Sequence, residues 1–249
     1  MQDKPLATER QRIVWLDEWR GAALVSMIIY HALWDAGGLF GYTALCPTGT
    51  LAMIWQQVTC ALFVAIAGFS FGLDRRPWRR GTLVLTAGMM ISVVTTTFFP
   101  PGIHCGILTM LGTSILLSAA LKYWPWKTLA PTVGAMICLL LFTVTRSVSD
   151  GMIGVGTMTY PLPHSWYAGE WSAWIGFPPH GFASLDYVPL LPWIFLFRAG
   201  YCWQQRYKRT TADVCRKSSP LAWLGRHSLA VYLLHQPIIY VILVSVTQW

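Results

Sequence analysis

The run LDEWRGAALVSMIIYHALWDAGG at residues 16–38 decides the fold class. It is long and apolar enough to enter a bilayer, yet Asp17, Glu18 and Arg20 stand at its start and His31 and Asp35 lie deeper in. A helix needs roughly 20 residues to cross about 30 Å of hydrocarbon. Ionisable groups held at that depth are costly, which makes them functional candidates. Arg20 and His31 are eleven positions apart, so at about 100° per residue they return to within roughly 20° of one helix face, roughly 16 Å apart along it. Asp35 follows one turn after His31, close enough to pair with it. One stripe of this helix therefore carries a fixed cation near a surface and a titratable imidazole well inside.

Two readings of that stripe stand side by side. In the functional one, a neutral imidazole takes a proton from an attacking amine or hydroxyl, and Asp35 orients it or stabilises the imidazolium. In the structural one, His31 hydrogen-bonds a neighbouring helix and Arg20 reaches up to the interface. Asp17 and Glu18 fall in the first turn, where carboxylates suit the helix dipole, and Glu18 reads as a cap or surface group.

The rest of the chain is consistent with a membrane. Of 249 residues, 55% are hydrophobic and 11% charged, with mean hydropathy +0.48, whereas a soluble domain carries about 25% charged residues. Apolar runs at about 19–41, 51–73, 82–99, 103–123, 129–148, 187–205 and 221–246 predict an all-α integral membrane protein, a polytopic bundle of about seven transmembrane helices. The ten-residue alternation of a barrel is absent. The net charge of +8, from 18 Lys and Arg against 10 Asp and Glu, points to topology rather than to nucleic acid. With the N-terminus cytoplasmic, all Lys and Arg except Arg146 and the in-span Arg198 fall on the cytoplasmic side, in short segments such as DRRPWRR (74–80) and KYWPWK (122–127). The C-terminus then lies outside. Residues 1–12 read as a cytoplasmic lead-in without the apolar core of a signal peptide. The chain reads as one domain over 1–249, with a Gly-, Pro- and Trp-rich external loop at about 149–185. No internal repeat of the transporter kind is visible. The six cysteines show no zinc spacing, so no metal is expected.

Two further spans carry chemistry. In LAWLGRHSLAVYLLHQPIIY (221–240), Ser228, Tyr232 and His235 share a face by spacings of four and three, and Gln236 follows Tyr232 by four. Pro237 frees a carbonyl near Leu233 and predicts a kink. Arg226 and His227 sit near the cytoplasmic end, where a guanidinium suits phosphate. In SLDYVPLLPWIFLFRAGY (184–201), Asp186 and Tyr187 mark the outer edge, Pro189 takes a first-turn position, and Arg198 lies at mid-membrane. Arg198 needs a water-filled cavity or a partner such as Asp35. His104 reads as interfacial, and His164 and His180 as loop histidines.

Five pieces, in order, carry a resemblance: LDEWRGAALVSMIIYHALWD (16–35), FVAIAGFSFGL (63–73), CGILTMLG (105–112), LDYVPLLPW (185–193) and LGRHSLAVYLLHQPIIY (224–240). With these the chain resembles bacterial members of the heparan-alpha-glucosaminide N-acetyltransferase catalytic-domain family, part of the transmembrane acyltransferase group. Arg20 and His31 also fit the Arg-x10-His pattern of membrane O-acyltransferases. The resemblance implies a multi-pass enzyme of the bacterial cytoplasmic membrane. It would use acetyl-coenzyme A as co-substrate and deliver acetyl to an amine or hydroxyl of an envelope sugar or glycoconjugate. It makes His31 the acetyl-transfer residue, Arg20 a holder of the donor, and Asp186, Arg226, His235 and Gln236 members of the polar cavity. Joined to the spacing arguments, this assigns His31 and Asp35 to catalysis. Arg20, Arg226, His235 and Gln236 are assigned to the donor, and Asp186, Tyr187, Arg198 and Tyr232 to the acceptor cavity.

Departures from the family matter. Relatives carry FGILH where this chain has CGILT, so Cys105 and Thr109 replace an aromatic residue and a histidine. The lysosomal enzyme has a lumenal domain and further spans that these residues lack, so its heparan substrate is not carried over. Whether His31 is itself acetylated or acts as a general base stays open. The rival readings are a transporter or flippase for an anionic solute, using Arg20, Arg198 and Arg226, and a non-catalytic membrane partner. The expected partners are membrane lipids, a sugar acceptor and, in a homodimer, a second copy of the chain; nucleic acid is not among them.

Overall fold

The structure, a computed structural model, describes residues 13–99, 101–121, 130–207 and 219–247. The expected lead-in 1–12, the basic stretch 122–127, and most of the basic loop 206–219 with Cys215 lie outside the described residues. The protein is helical. Its elements are α1 (Val14–Gly38), α2 (Gly49–Phe71), α3 (Pro77–Phe98), α4 (Ile107–Ala120), α5 (Pro131–Val144), β1 (Met152–Val155), β2 (Met158–Pro161), α6 (Ser172–Ile175), α7 (Leu190–Arg206), α8 (Pro220–Arg226) and α9 (Ser228–Thr247). Two compact units form, one from Met1–Phe63 with Lys208–Trp249, the other from Val64–Tyr207.

Among the described residues four segments are long and apolar enough to cross a membrane: α2, α3, α9, and Pro131–Asp150, which extends α5 through its closing turns. Their outer faces expose large apolar side chains such as Leu51, Val93, Leu140 and Val241, the pattern of a helix whose second solvent is lipid rather than water. α1 has 25 residues and the length to cross, but its Asp17, Glu18, Arg20 and Asp35 set it apart from those four.

In the first unit α1 is the axis. No proline or glycine interrupts it between Gly21 and Gly37, and it stops where Gly37 and Gly38 meet Leu39. It lies against α8 at backbone distance. A Cβ on Gly21 would fall 2.0 Å from the Leu221 carbonyl oxygen, and one on Gly225 would fall 1.9 Å from that of Asp17. Small residues at a crossing let helices in an apolar medium reach van der Waals contact, which is the main attraction left to them there. Polar ties reinforce the contact. Ser219 caps α8 by accepting from the Ala222 N–H at 3.2 Å, and its hydroxyl also donates to Glu18 Oε1 at 2.8 Å. Glu18 is thus a tertiary partner and not only a cap or surface group. On the α2 side, Trp55 Nε1 donates to Ser26 Oγ at 2.8 Å, and Ser26 and Thr59 share a hydrogen bond of 2.8 Å.

In the second unit α3 packs on α4, and α5 and the last turns of α2 pack on α7. Ten of the 14 residues of α4 are buried, among them Thr109, Ser114 and Ser118. Such a helix is core, and at about 1.5 Å per residue it measures roughly 21 Å, short of the hydrocarbon thickness.

Several expectations are corrected. α3 begins at Pro77, inside the stretch read as a basic loop, because proline at the first helical position starts a helix at little cost. The expected span 187–205 becomes a 17-residue α7 in which Leu191 is non-helical (φ −89°, ψ 132°), the extended form that a residue before proline prefers. Pro192, not Pro189, therefore opens the continuous helix. The expected span 221–246 is two helices. The break falls at His227 (φ −100°, ψ 21°), and α9 runs through Pro237 without interruption. The His227 Nδ1–H donates to the Trp223 carbonyl at 2.9 Å, a local bond that competes with helix propagation. The loop expected at 149–185 holds an antiparallel hairpin pairing Met152 with Pro161 through Val155 with Met158. Its signal was Gly156, at the first central position of a two-residue turn with φ +61°, where a primed hairpin turn calls for glycine.

The α1–α8 contact makes a prediction. Gly21→Val or Gly225→Val forces two backbones apart and costs about 1–3 kcal/mol, visible as a lower thermal-unfolding midpoint in detergent. Gly38→Ala meets only the Trp34 ring at 3.9 Å and leaves the midpoint where it is.

Candidate functional site

The first unit gathers the polar stripe of α1 onto α9. His31 Nδ1 and His235 Nε2 are 2.9 Å apart, and the two ring planes lie within 23° of each other. The second nitrogen of His235, Nδ1, is 2.5 Å from the Tyr232 carbonyl oxygen. One turn along α1, the Asp35 carboxylate accepts from Gln236 Nε2 at 2.8 and 3.1 Å. Two successive residues of α9 thus hold two residues of α1 that stand four apart. The pairing is local in origin. The four-residue spacing puts His31 and Asp35 on one face of α1, and their partners face them from one turn of α9.

Burial grades across the cluster. Asp35 is 1% exposed and His235 7%, while His31 is half-buried and Gln236 exposed. In each bonded pair one member is buried and the other more accessible, Asp35 against Gln236 and His235 against the imidazole of His31. Aromatic rings border it: Tyr30 lies 6.2 Å from the His31 ring and meets Trp55 edge-on at 5.4 Å. Trp55, Thr59 and Ser26 are the polar neighbours that sequence reading missed. Their signal was present, since Ser26 and Tyr30, like Trp55 and Thr59, are four apart on their own helices.

Arg20 sits at the other end of the stripe. Its Nη1 donates to Asp17 Oδ1 at 3.1 Å and to the Gly225 carbonyl at 3.4 Å. It therefore ties α1 to the α8 end, next to the exposed Arg226 and His227. Tyr232 enters the cluster mainly by its backbone carbonyl, with its ring 5.3 Å from that of His235.

Three predicted site residues belong to the second unit. Tyr187 donates its hydroxyl to the Ala173 carbonyl at 2.7 Å and packs on Phe182. The carboxylate of Asp186 comes within 3.5 Å of where a Cβ on Gly106 would stand. Gly106 is the N-cap of α4, a position where negative charge meets free N–H groups. Arg198 lies over the Tyr201 ring at 5.1 Å and beside the free thiols of Cys138 and Cys202. The Asp35 carboxylate suggested for it is held by Gln236. Thr109 is buried, and its hydroxyl donates to the Gly106 carbonyl at 2.6 Å within its own first turn. His104 is bracketed through its backbone by Ser184, and the exposed His164 and His180 rings stack at 6.5 Å.

Chemically, the His31 cluster offers a basic imidazole nitrogen held by a second imidazole, with a buried carboxylate one turn away. Such an arrangement can accept and return a proton or act as a nucleophile. Among the described residues no three His, Cys, Asp or Glu side chains gather where they could hold a metal ion.

Comparison with curated proteins returns no match, and comparison with solved structures returns none either. The family described as heparan-alpha-glucosaminide N-acetyltransferase, catalytic, matches residues 12–237, a range that contains His31, Asp35, His235, Gln236 and the second unit entire. The chain belongs to the heparan-alpha-glucosaminide N-acetyltransferase catalytic-domain family.

Proposed function

We propose that this protein is a membrane acetyltransferase that moves acetyl from cytoplasmic acetyl-coenzyme A to an amine or hydroxyl of an envelope sugar or glycoconjugate. The family membership supports the reaction class, and the observation that carries the site is the 2.9 Å bond between His31 and His235. The chain works as one multi-pass transmembrane domain of the bacterial inner membrane, with an odd number of passes and a cytoplasmic N-terminus. The distribution of Lys and Arg supports that topology.

In the transfer, the acceptor N or O bonds to the acetyl carbonyl carbon as the C–S bond of the thioester breaks. The acceptor's proton passes to His31 and from there to the coenzyme A thiolate, which leaves as the thiol. If the imidazole itself carries the acetyl group in passing, an N–C bond to His31 forms as the thioester C–S bond breaks, and that N–C bond breaks in turn as the acceptor N or O bonds to the carbonyl carbon, with the acceptor's proton ending on the coenzyme A thiol as before. Asp35 sits one turn away as the buried negative charge that favours an imidazolium. Its hydrogen bonds from Gln236 keep it in place. Arg20 and Arg226, at the opposite end of the stripe, are suited to the phosphates of the donor. The aromatic border of Tyr30 and Trp55 gives an acceptor sugar a flat apolar face to lie on. An active centre between apolar helices keeps bulk water from the thioester and so limits wasteful hydrolysis.

Purified protein in detergent is therefore expected to bind acetyl-coenzyme A saturably and to release its thiol. His31→Ala retains binding and loses thiol release by about 10² to 10⁴-fold. Full activity in that variant, with the protein folded, removes His31 from the reaction; absence of binding in both proteins argues for a solute transporter. Reporter fusions test the topology: a C-terminal reporter is expected to read as outside, and a cytoplasmic reading excludes an odd number of passes with the N-terminus inside.

A further inference from the structure

The proton positions in the paired histidines follow from what surrounds them. A backbone carbonyl can only accept a hydrogen bond. Because His235 Nδ1 lies against the Tyr232 carbonyl, that nitrogen carries a hydrogen. In neutral His235 the other nitrogen, Nε2, then has a lone pair and no hydrogen. It faces His31 Nδ1 at 2.9 Å, so His31 must supply the N–H. In neutral His31 the lone pair is left on Nε2.

We propose that His235 is a positioning residue that fixes His31 in the Nδ1–H tautomer, with the Tyr232 carbonyl as the anchor of the relay, so that Nε2 is the atom that meets substrate. The inference rests on the acyltransferase reading for its catalytic consequence, but the tautomer itself does not depend on it. The relay assigns His235 a different task from donor binding. It acts through His31, as a hydrogen-bond partner on one ring nitrogen sets the state of the other. It also explains why α1 and α9 are coupled at two adjacent points. Gln236 on Asp35 sets the depth and rotation of α9 against α1, and His235 then meets His31 ring to ring. When His31 takes a proton on Nε2, its Nδ1–H stays on the neutral His235 acceptor. The charge is gained without any ring having to turn, which is what preorganisation requires.

The test uses full-length protein labelled with ¹⁵N-histidine, in detergent, with the His31 ring signals identified as those lost in His31→Gln. Wild type is expected to show His31 protonated at Nδ1 and bare at Nε2. His235→Leu is expected to lose that preference and to lower turnover of acetyl-coenzyme A by about 10²-fold or more, with KM for the donor unchanged. His235→Gln places an amide oxygen near the former Nε2 position, and is expected to restore both the Nδ1–H signal and part of the turnover. It also controls for misfolding of the leucine variant. A His31 signal that stays Nδ1–H in His235→Leu, or that is Nε2–H in wild type, overturns the relay. So does a loss confined to donor KM, which would make His235 a donor-binding group. If wild type shows the Nδ1–H tautomer but no thiol release, the relay stands and the acyltransferase reading fails.

Discussion

A hydrogen-bonding side chain inside an apolar helix has no water to turn to, and everything at the centre of this protein follows from that constraint. His31 and Asp35 stand on a helix otherwise built of Ala, Leu, Val, Ile and aromatic residues. Left alone in hydrocarbon, an ionisable or strongly polar group costs several kcal/mol. The structure meets the cost with partners from one other helix, His235 for His31 and Gln236 for Asp35. The α1–α9 pairing is therefore dictated by polar satisfaction, while the α1–α8 contact beside it is dictated by shape, through the glycines that let two backbones touch.

The two kinds of contact do different work. Shape complementarity at Gly21 and Gly225 is non-directional and fixes distance. The hydrogen bonds fix rotation and register, because a shift of either helix by one residue would break both at once. A site that holds a proton at a chosen ring nitrogen needs both. The break at His227 belongs to this arrangement. A single straight helix over 221–246 would follow one line, whereas two helices let α8 lie on the start of α1 and α9 present His235 and Gln236 to its far half.

The second unit is organised otherwise. Its polar residues are satisfied mostly within their own helix or loop: Thr109 on Gly106, Ser70 on Ile66, Thr145 on Leu141. Its core is close packing of α3 with α4 and of α5 with α7, and its loop segment closes with a small hairpin. In this setting Asp186 and Tyr187 have neighbours that give them structural work, at the start of α4 and on the carbonyl of Ala173.

The helical membrane class, the family, and the candidate status of His31, Asp35, His235 and Gln236 were all legible in the sequence. Each depends on local facts: runs of apolar residues, spacings of three and four along one helix, and motif strings. The stop of α4 after 14 residues, the two-helix form of 221–246 and the hairpin were less legible, since helix ends answer to tertiary contacts and to single side chains such as His227. What only the tertiary structure decided is who meets whom. Periodicity places His31 and His235 on faces of their own helices, but it holds no information about which face turns toward which. That choice is made by the sum of backbone contact at Gly21 and Gly225 and the need of each buried polar group for a partner, and both are properties of residues some 200 positions apart.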